Sequence, residues 1–347
     1  MKNRLNARYR RLTSPDGNLF QQQEANRRRT TWLVIGFVLF FAWLGFGGDF
    51  LWAFEGRHPF PWLGVILTVV AIIGVRYAYK TGPQKVLWAT GAHELIDPQT
   101  DAERQLINVV DEMAIAAGVP RPRIWVVPDD DPNAFATGHD PTDAHLAVTR
   151  GLLKLCSRDE LQGVIAHELG HVKNLDVRLM TTLAALVGAV LLVRDGMGRM
   201  MRGGIPIKGG GGGGSSRKSK DGGPLLALLL ALWILSWIVA PLVTQLLAFA
   251  VSRRREYLAD AMSAQFTRNP LALASALEKI EAAAAPTTSI KRGAAHLCIA
   301  DPLGRRFTSR EGWLADTLAT HPPMSMRISR LKGMGYAQLK KEGGLTV

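Results

Sequence analysis

Residues 165–176 read IAHELGHVKNLD, and this stretch decides how the rest of the sequence is interpreted. Apolar residues recur before it at helical spacing, so we predict that it lies on a helix. His167 and His171 are four residues apart, which places both imidazoles on one face of that helix. Two imidazoles at this spacing can bind Zn²⁺, and the intervening Glu168 can activate water as a general base. The stretch therefore predicts a catalytic zinc site with one Zn²⁺ per chain.

A third protein ligand is expected from residues 255–260, which read REYLAD. Catalytic zinc takes three protein ligands and keeps its fourth position open. Glu256 and Asp260 are four residues apart and share one face of a predicted helix. We predict that Glu256 is the third ligand and that Asp260 accepts the second N–H of a ligand histidine, fixing its tautomer. By itself the spacing is weak, because Glu and Asp four apart also occur on solvated helix faces.

Local signals around the motif predict a small α+β domain. Ser157 and Glu160 form a capping box at the start of the motif helix, which we expect to run to Asp176. Short apolar runs at 123–127 and 144–149 predict two buried strands. The zinc motif is therefore expected on a helix of a domain that also contains a small sheet.

Two apolar blocks near the N-terminus predict a transmembrane hairpin rather than a buried core hairpin. Residues 31–47 carry no charge and would span about 26 Å as a helix, near the lower limit for a bilayer. Residues 62–79 carry one charge, Arg76. Residues 1–30 contain eight Lys and Arg residues and the 48–61 loop contains one, which places the N-terminus in the cytoplasm by the positive-inside rule. The lipid bilayer is thus a predicted partner.

Two later apolar blocks, at 180–193 and 224–250, leave two interpretations open. Either both cross the membrane, which we favour, or they form a hairpin that dips into the membrane or packs on its inner face. If both cross, the basic 194–223 loop lies outside, against the positive-inside rule. In both cases the number of crossings is even, so the two zinc-site sequences share one compartment.

Composition limits the remaining function classes. A net charge of +13 raises nucleic acid or an anionic membrane as partners, but membrane orientation explains much of it, and we predict no nucleic-acid partner. Cys156 and Cys298 are too few for a disulfide framework or a four-cysteine zinc site, and we expect buried thiols. Nothing in the composition predicts an oligomeric state.

The order HELGH, membrane hairpin, REYLAD resembles the M48 family of zinc metalloendopeptidases, and within it the membrane heat-shock proteases of the HtpX group. The resemblance covers most of residues 60–335. It includes NAFATG at 133–138, VTRGLL at 148–153, and THPP at 320–323 followed by Arg327 and Ile328.

This resemblance implies roles for individual residues. It implies zinc bound by His167, His171 and Glu256, with Glu168 as the general base. It implies an edge strand that accepts the substrate backbone by β-augmentation. The residues of that strand are Asn133, Ala134, Phe135 and Ala136. It also implies that His321 donates to the developing oxyanion, although a lone histidine is more often structural.

Together these features predict a mainly α integral membrane protein whose α+β zincin-like catalytic domain, with a small sheet, is interrupted by a membrane hairpin. The expected segments are a basic cytoplasmic stretch at 1–30, a transmembrane hairpin at 31–79, a second membrane hairpin at 180–250, and catalytic parts at 80–179 and 251–347. The expected function is hydrolysis of peptide bonds of membrane or misfolded proteins, in quality control, at the cytoplasmic face of a bacterial inner membrane. The alternatives are a non-proteolytic zinc-containing membrane scaffold, against which the intact base Glu168 argues, and a zinc hydrolase of non-peptide bonds.

Overall fold

The computed structural model describes residues 15–54, 60–186, 231, 253–283, 298–299 and 322–341. The chain forms two compact units. One comprises residues 1–32, 79–184 and 248–347, and the other comprises residues 33–78 and 185–247. The described part is mostly helical, with one small mixed sheet. The general expectation of a mainly helical chain with a small sheet is confirmed.

Two long helices, α1 (Pro15–Phe54) and α2 (Trp62–Ala89), contain the first predicted hairpin. Both are long and apolar enough to cross a membrane, over Gln21–Phe50 and Trp62–Ala89. Near their connection, the carboxylate of Asp49 accepts backbone N–H groups from the first turn of α2, which would otherwise lack acceptors. The second predicted hairpin, at 180–250, lies outside the described residues except for 180–186 and residue 231.

The sheet has four strands in the order β1-β2-β4-β3. They are β1 (His93–Glu94), β2 (Arg123–Val127), β3 (Ala134–Thr137) and β4 (His145–Thr149). β2 and β4 pair in parallel, and the two outer pairings are antiparallel. The strand predicted at 123–127 is confirmed, and the one predicted at 144–149 begins one residue later. β3 lies at the edge of the sheet, beside the helix that carries the zinc motif.

Helices surround that motif helix, α5, on several sides. The remaining helices, in chain order, are α3 (Asp101–Ala117), α4 (Arg150–Leu155), the motif helix α5 (Arg158–Lys173), α6 (Arg253–Thr267), α7 (Pro270–Ala282) and α8 (Met324–Lys341). α5 begins at the predicted capping box of Ser157 and Glu160. It packs against α3, α6, α7 and β3, and its motif residues lie inside the apolar core. The fold therefore holds a polar motif within a packed interior.

The expected continuation of α5 to Asp176 is wrong. The helix ends at Lys173, Asn174 is its C-cap, and Leu175 adopts a left-handed φ of 58°. Such a residue interrupts the helical ladder at a cost of about 1–2 kcal/mol, which burial of the leucine side chain offsets. Residues 176–186 are helical again after this break. The break turns Asp176 back toward the motif.

Gly163→Ala is expected to destabilise the protein. A Cβ at this position would lie 2.9 Å from the backbone nitrogen of Leu273 on α7, so the two helices would have to separate. Overpacking of this kind costs about 1–3 kcal/mol. Gly170→Ala is the matched control, because its Cβ would meet the nearest atoms of α6 at 3.4 Å. Thermal unfolding in detergent should show a lower Tm for Gly163→Ala alone, and equal shifts would contradict this packing.

Candidate metal centre

The side chains of His167, His171 and Glu256 come together where α5 faces α6. His167 and Glu256 are buried, and His171 is half-buried. Gly170 of α5 faces Ala259 of α6 here, and even a Cβ at Gly170 would meet α6 at 3.4 Å, an ordinary contact distance. One ligand atom from each of the three side chains lies within 4.8 Å of the others. The structure thus brings the three predicted zinc ligands into one cluster.

The distances within the cluster fit a tetrahedral zinc ion. The two histidine Nε2 atoms are 3.2 Å apart. Oε2 of Glu256 lies 3.6 Å from Nε2 of His167, and its other oxygen, Oε1, lies 3.5 Å from Nε2 of His171. Zinc–ligand bonds of about 2.0–2.1 Å place neighbouring tetrahedral ligands about 3.3–3.4 Å apart. The protein therefore presents three corners of a suitable coordination shell.

Carboxylates fix the tautomers of both histidines. Asp260 Oδ1 lies 3.0 Å from Nδ1 of His167, and Asp176 Oδ2 lies 3.2 Å from Nδ1 of His171. Each Nδ1–H can therefore donate to a carboxylate, which leaves a lone pair on each Nε2. Two lone pairs 3.2 Å apart repel each other unless a cation lies between them. The donor set is therefore suited to a metal ion.

Arg327 on α8 holds the carboxylate that faces His167. Its Nε and Nη2 donate to the two oxygens of Asp260 at 3.0 and 2.7 Å, and its Nη1 donates to the backbone oxygen of Ile299 at 3.0 Å. Nη1 also lies 3.3 Å from Oε2 of Glu256. The guanidinium is fully buried. It thus supports both acidic side chains of α6 through short contacts.

Buried charge around the cluster favours a cation. Among the residues that the structure describes, four buried carboxylates face two buried guanidiniums, which gives these six side chains an excess of two negative charges when the imidazoles are neutral. The carboxylates are Glu168, Asp176, Glu256 and Asp260, and the guanidiniums are Arg255 and Arg327. Burial and Arg327 lower the pKa of His167, but its hydrogen bonds with Asp260 and Glu256 outweigh them and raise the pKa to about 9, so without a metal a proton on this imidazole offsets one of the two negative charges. A divalent cation would neutralise this excess.

Glu168 lies beside the cluster, and one of its carboxylate oxygens makes no hydrogen bond to a described residue. The side chain is buried, and its Oε1 has no hydrogen-bond partner among the described residues. Burial raises the pKa of this carboxyl, while the two histidines of the cluster oppose the rise. A buried carboxylate with a raised pKa is suited to taking up and releasing a proton.

Comparison with known proteins identifies the family. The sequence profile of Peptidase family M48 matches residues 100–335. The chain belongs to peptidase family M48. It is 39% identical to a protease HtpX homolog of Thermoanaerobacter pseudethanolicus over 318 residues, 91% of this chain and 98% of that protein. A protease HtpX homolog of Streptococcus gordonii is also 39% identical, over 91% of this chain and its own full length.

A crystal structure of S. mikatae Ste24p is similar in part. It is 17% identical, with a TM-score of 0.43, and the match covers 90% of this chain and 66% of that one.

Family membership makes this M48 protein a membrane-associated metalloendopeptidase, with two helices apolar enough to cross a bilayer. M48 peptidases depend on zinc, and the cluster of two histidines and one glutamate is a possible site for it. The protease assignment, rather than the scaffold alternative, is confirmed. Its substrates are peptides or proteins.

Asp260 lies at Nδ1 of His167, as predicted, whereas the predicted substrate strand is shifted. The edge strand of this M48 peptidase is Ala134–Thr137, one residue later than expected. Its outer edge is already paired, since Phe135 bridges to Cys298 and the backbone N–H of Ile299 donates to Ala134 O at 2.9 Å. His321, the predicted oxyanion donor, lies outside the described residues.

The contacts of Asp176 and Arg327 differ in how far the sequence could predict them. Asp176 is the last residue of the quoted stretch, but its role depends on the helix break at Leu175, which local periodicity does not report. Arg327 follows the THPP stretch at 320–323, which is part of the resemblance to the M48 family. Its two-pronged contact with Asp260 is visible only in the structure.

Proposed function

We propose that this peptidase binds one Zn²⁺ through His167, His171 and Glu256 and uses Glu168 as the general base in peptide hydrolysis. The observation that carries the proposal is the cluster of two Nε2 atoms and a carboxylate, at tetrahedral spacing, next to a buried carboxylate. Zinc in this position would supply Lewis acidity, which polarises a scissile carbonyl and makes water more acidic.

The protein side chains have separate roles in the proposed reaction. Glu168 accepts a proton from the attacking water and later donates it to the leaving amine. Asp260 and Asp176 keep Nδ1 of the two histidines protonated, so Nε2 remains available for the metal. His321 is proposed to stabilise the oxyanion as a hydrogen-bond donor.

Metal removal tests this assignment. The detergent-purified protein should contain about one zinc per chain, lose cleavage of protein substrates on chelation, and recover it with added zinc. Cleavage that persists after the metal is removed would refute the proposal. A panel of folded and misfolded membrane proteins would test the proposed quality-control role, for which preferential cleavage of the misfolded forms is expected.

The edge strand is proposed to bind the substrate backbone. Asn133 precedes it, and Ala134, Phe135 and Ala136 form most of it. Because residues 298–299 already pair with this edge, a substrate strand would have to displace them. Hydrogen exchange at 298–299 should therefore increase when an uncleavable peptide is added to an inactive variant. Unchanged exchange would contradict this binding mode.

We further propose a zincin-like catalytic domain of two parts, 80–179 and 251–347, on the cytoplasmic face of a bacterial inner membrane. The basic 1–30 segment, the spans within 31–79 and a second membrane hairpin at 180–250 complete this arrangement. The asymmetry of positive charge around the first hairpin supports the orientation.

Cysteine labelling tests the orientation with little background, because Cys156 and Cys298 are both buried. Ile115 is 82% exposed on α3, and Phe60 is 49% exposed just before α2. In spheroplasts, a membrane-impermeant maleimide should label Phe60→Cys directly and Ile115→Cys only after lysis. Labelling of Ile115→Cys in intact spheroplasts would reverse the proposed orientation.

A further inference from the structure

Asn26 on α1 contacts the end of the motif helix from 148 residues away in sequence. It is fully buried, whereas the three arginines that follow it are exposed. Its Nδ2 donates to the backbone oxygen of Asn174 at 2.9 Å and to Oδ1 of Asp176 at 2.8 Å. Burying an amide costs free energy unless its hydrogen bonds are made. These two bonds satisfy the amide N–H groups of Asn26, while its Oδ1 is buried and has no hydrogen-bond partner among the described residues.

Gln23, one turn earlier on α1, contacts the same helix end. Its Nε2 donates to the backbone oxygen of Lys173 at 2.7 Å. The last carbonyl groups of an α-helix have no donors within the helix. Gln23 and Asn26 together satisfy the carbonyls of Lys173 and Asn174, so α1 caps α5 from outside the helix.

Asp176 connects this cap to the metal centre. Its Oδ1 accepts the hydrogen bond from Asn26, and its Oδ2 lies 3.2 Å from Nδ1 of His171. Arg255 adds an ionic contact, with its Nε 3.4 Å from Oδ1. Because both oxygens have fixed partners, the plane of the carboxylate is set. The plane of the carboxylate in turn sets the orientation of the His171 ring.

We propose that Asn26 is a positioning residue of the metal centre, so that α1, the helix of the first candidate membrane span, tunes metal affinity. Asn26 acts through Asp176, which orients His171. The inference rests on the proposed role of His171 as a zinc ligand. Mutation of a residue that hydrogen-bonds directly to a metal ligand lowers metal affinity by about 10–100-fold. Asn26 contacts the ligand only through Asp176, so we expect its mutation to lower zinc affinity by about 3–10-fold.

The test is the zinc affinity of the metal-free protein in detergent, measured by competition with a chromophoric chelator. Asn26→Leu and Gln23→Met each remove one amide donor and keep the size of the side chain. We expect Asn26→Leu to raise the Kd for zinc about 3–10-fold and Gln23→Met to leave it unchanged. The visible spectrum of the Co²⁺-substituted protein should shift only in Asn26→Leu. Equal effects of the two variants, or none of Asn26→Leu, would overturn the proposal.

A double-mutant cycle tests whether the effect passes through Asp176. In an Asp176→Ala background, Asn26→Leu should change the zinc Kd no further, and an additive change would overturn the proposal. His171→Ala separates this proposal from the zinc assignment. If His171→Ala leaves zinc binding intact, both fail. If it abolishes zinc binding while Asn26→Leu has no effect, only the positioning role fails.

Discussion

Glu168→Gln is expected to abolish peptide hydrolysis while zinc remains bound. Glutamine keeps the size of the side chain but cannot accept a proton from water. General acid–base catalysis contributes about 10²–10⁴-fold to enzyme rates, so cleavage should slow by at least about 10²-fold. The metal ligands are unchanged, so the zinc content should match that of the wild type. Cleavage of a protein substrate on gels and metal analysis of the same preparation measure both quantities.

Glu160→Gln is the matched control for this variant. Glu160 lies two turns earlier on the same helix and is also buried, but its partners are structural. It accepts hydrogen bonds from Ser275 at 2.6 Å and from Lys279 at 2.7 Å, which join α5 to α7. We expect Glu160→Gln to lower the Tm and to retain cleavage at low temperature. Loss of cleavage in both variants, or in neither, would contradict a base role specific to Glu168.

Helical periodicity explains why so much of the site could be anticipated. A spacing of four residues predicts a shared face, and the structure does place His167 with His171 and Glu256 with Asp260 on the facing sides of two helices. The capping box at Ser157 likewise depends only on neighbouring residues. The roles of these residues remain predictions, but their proximity follows from local rules together with one packing contact.

The remaining contacts depend on information that a local pattern does not contain. Leu175 adopts a left-handed conformation that its residue type disfavours, and only the surrounding packing selects it. In the sequence, Asn26 is one polar residue beside a basic run, and its role becomes visible only where α1 contacts the end of α5. The pairing of Phe135 with Cys298 joins residues 163 positions apart. Tertiary packing decides each of these cases.

Arg327→Met is expected to be the most destabilising single change at the site. The guanidinium is fully buried and binds both oxygens of Asp260. Methionine is apolar and leaves Asp260 and Glu256 buried with one cation fewer. Removing one partner of a buried ion pair costs about 3–5 kcal/mol. Thermal unfolding in detergent should show a large loss of Tm, greater in the metal-free protein, where no bound cation offsets the two carboxylates.

Two further variants on α8 separate charge from geometry. Arg330, three residues later, is exposed and lies over the ring of Tyr257 at 3.7 Å, a contact worth about 0.5–1 kcal/mol. Arg330→Met should therefore unfold close to the wild-type temperature. Arg327→Lys keeps the charge but cannot make the two-pronged contact, so its Tm should lie between those of Arg327→Met and the wild type. If Arg327→Met unfolds like Arg330→Met, the buried guanidinium does not hold α8 against α6, and apolar packing of the two helices must do so.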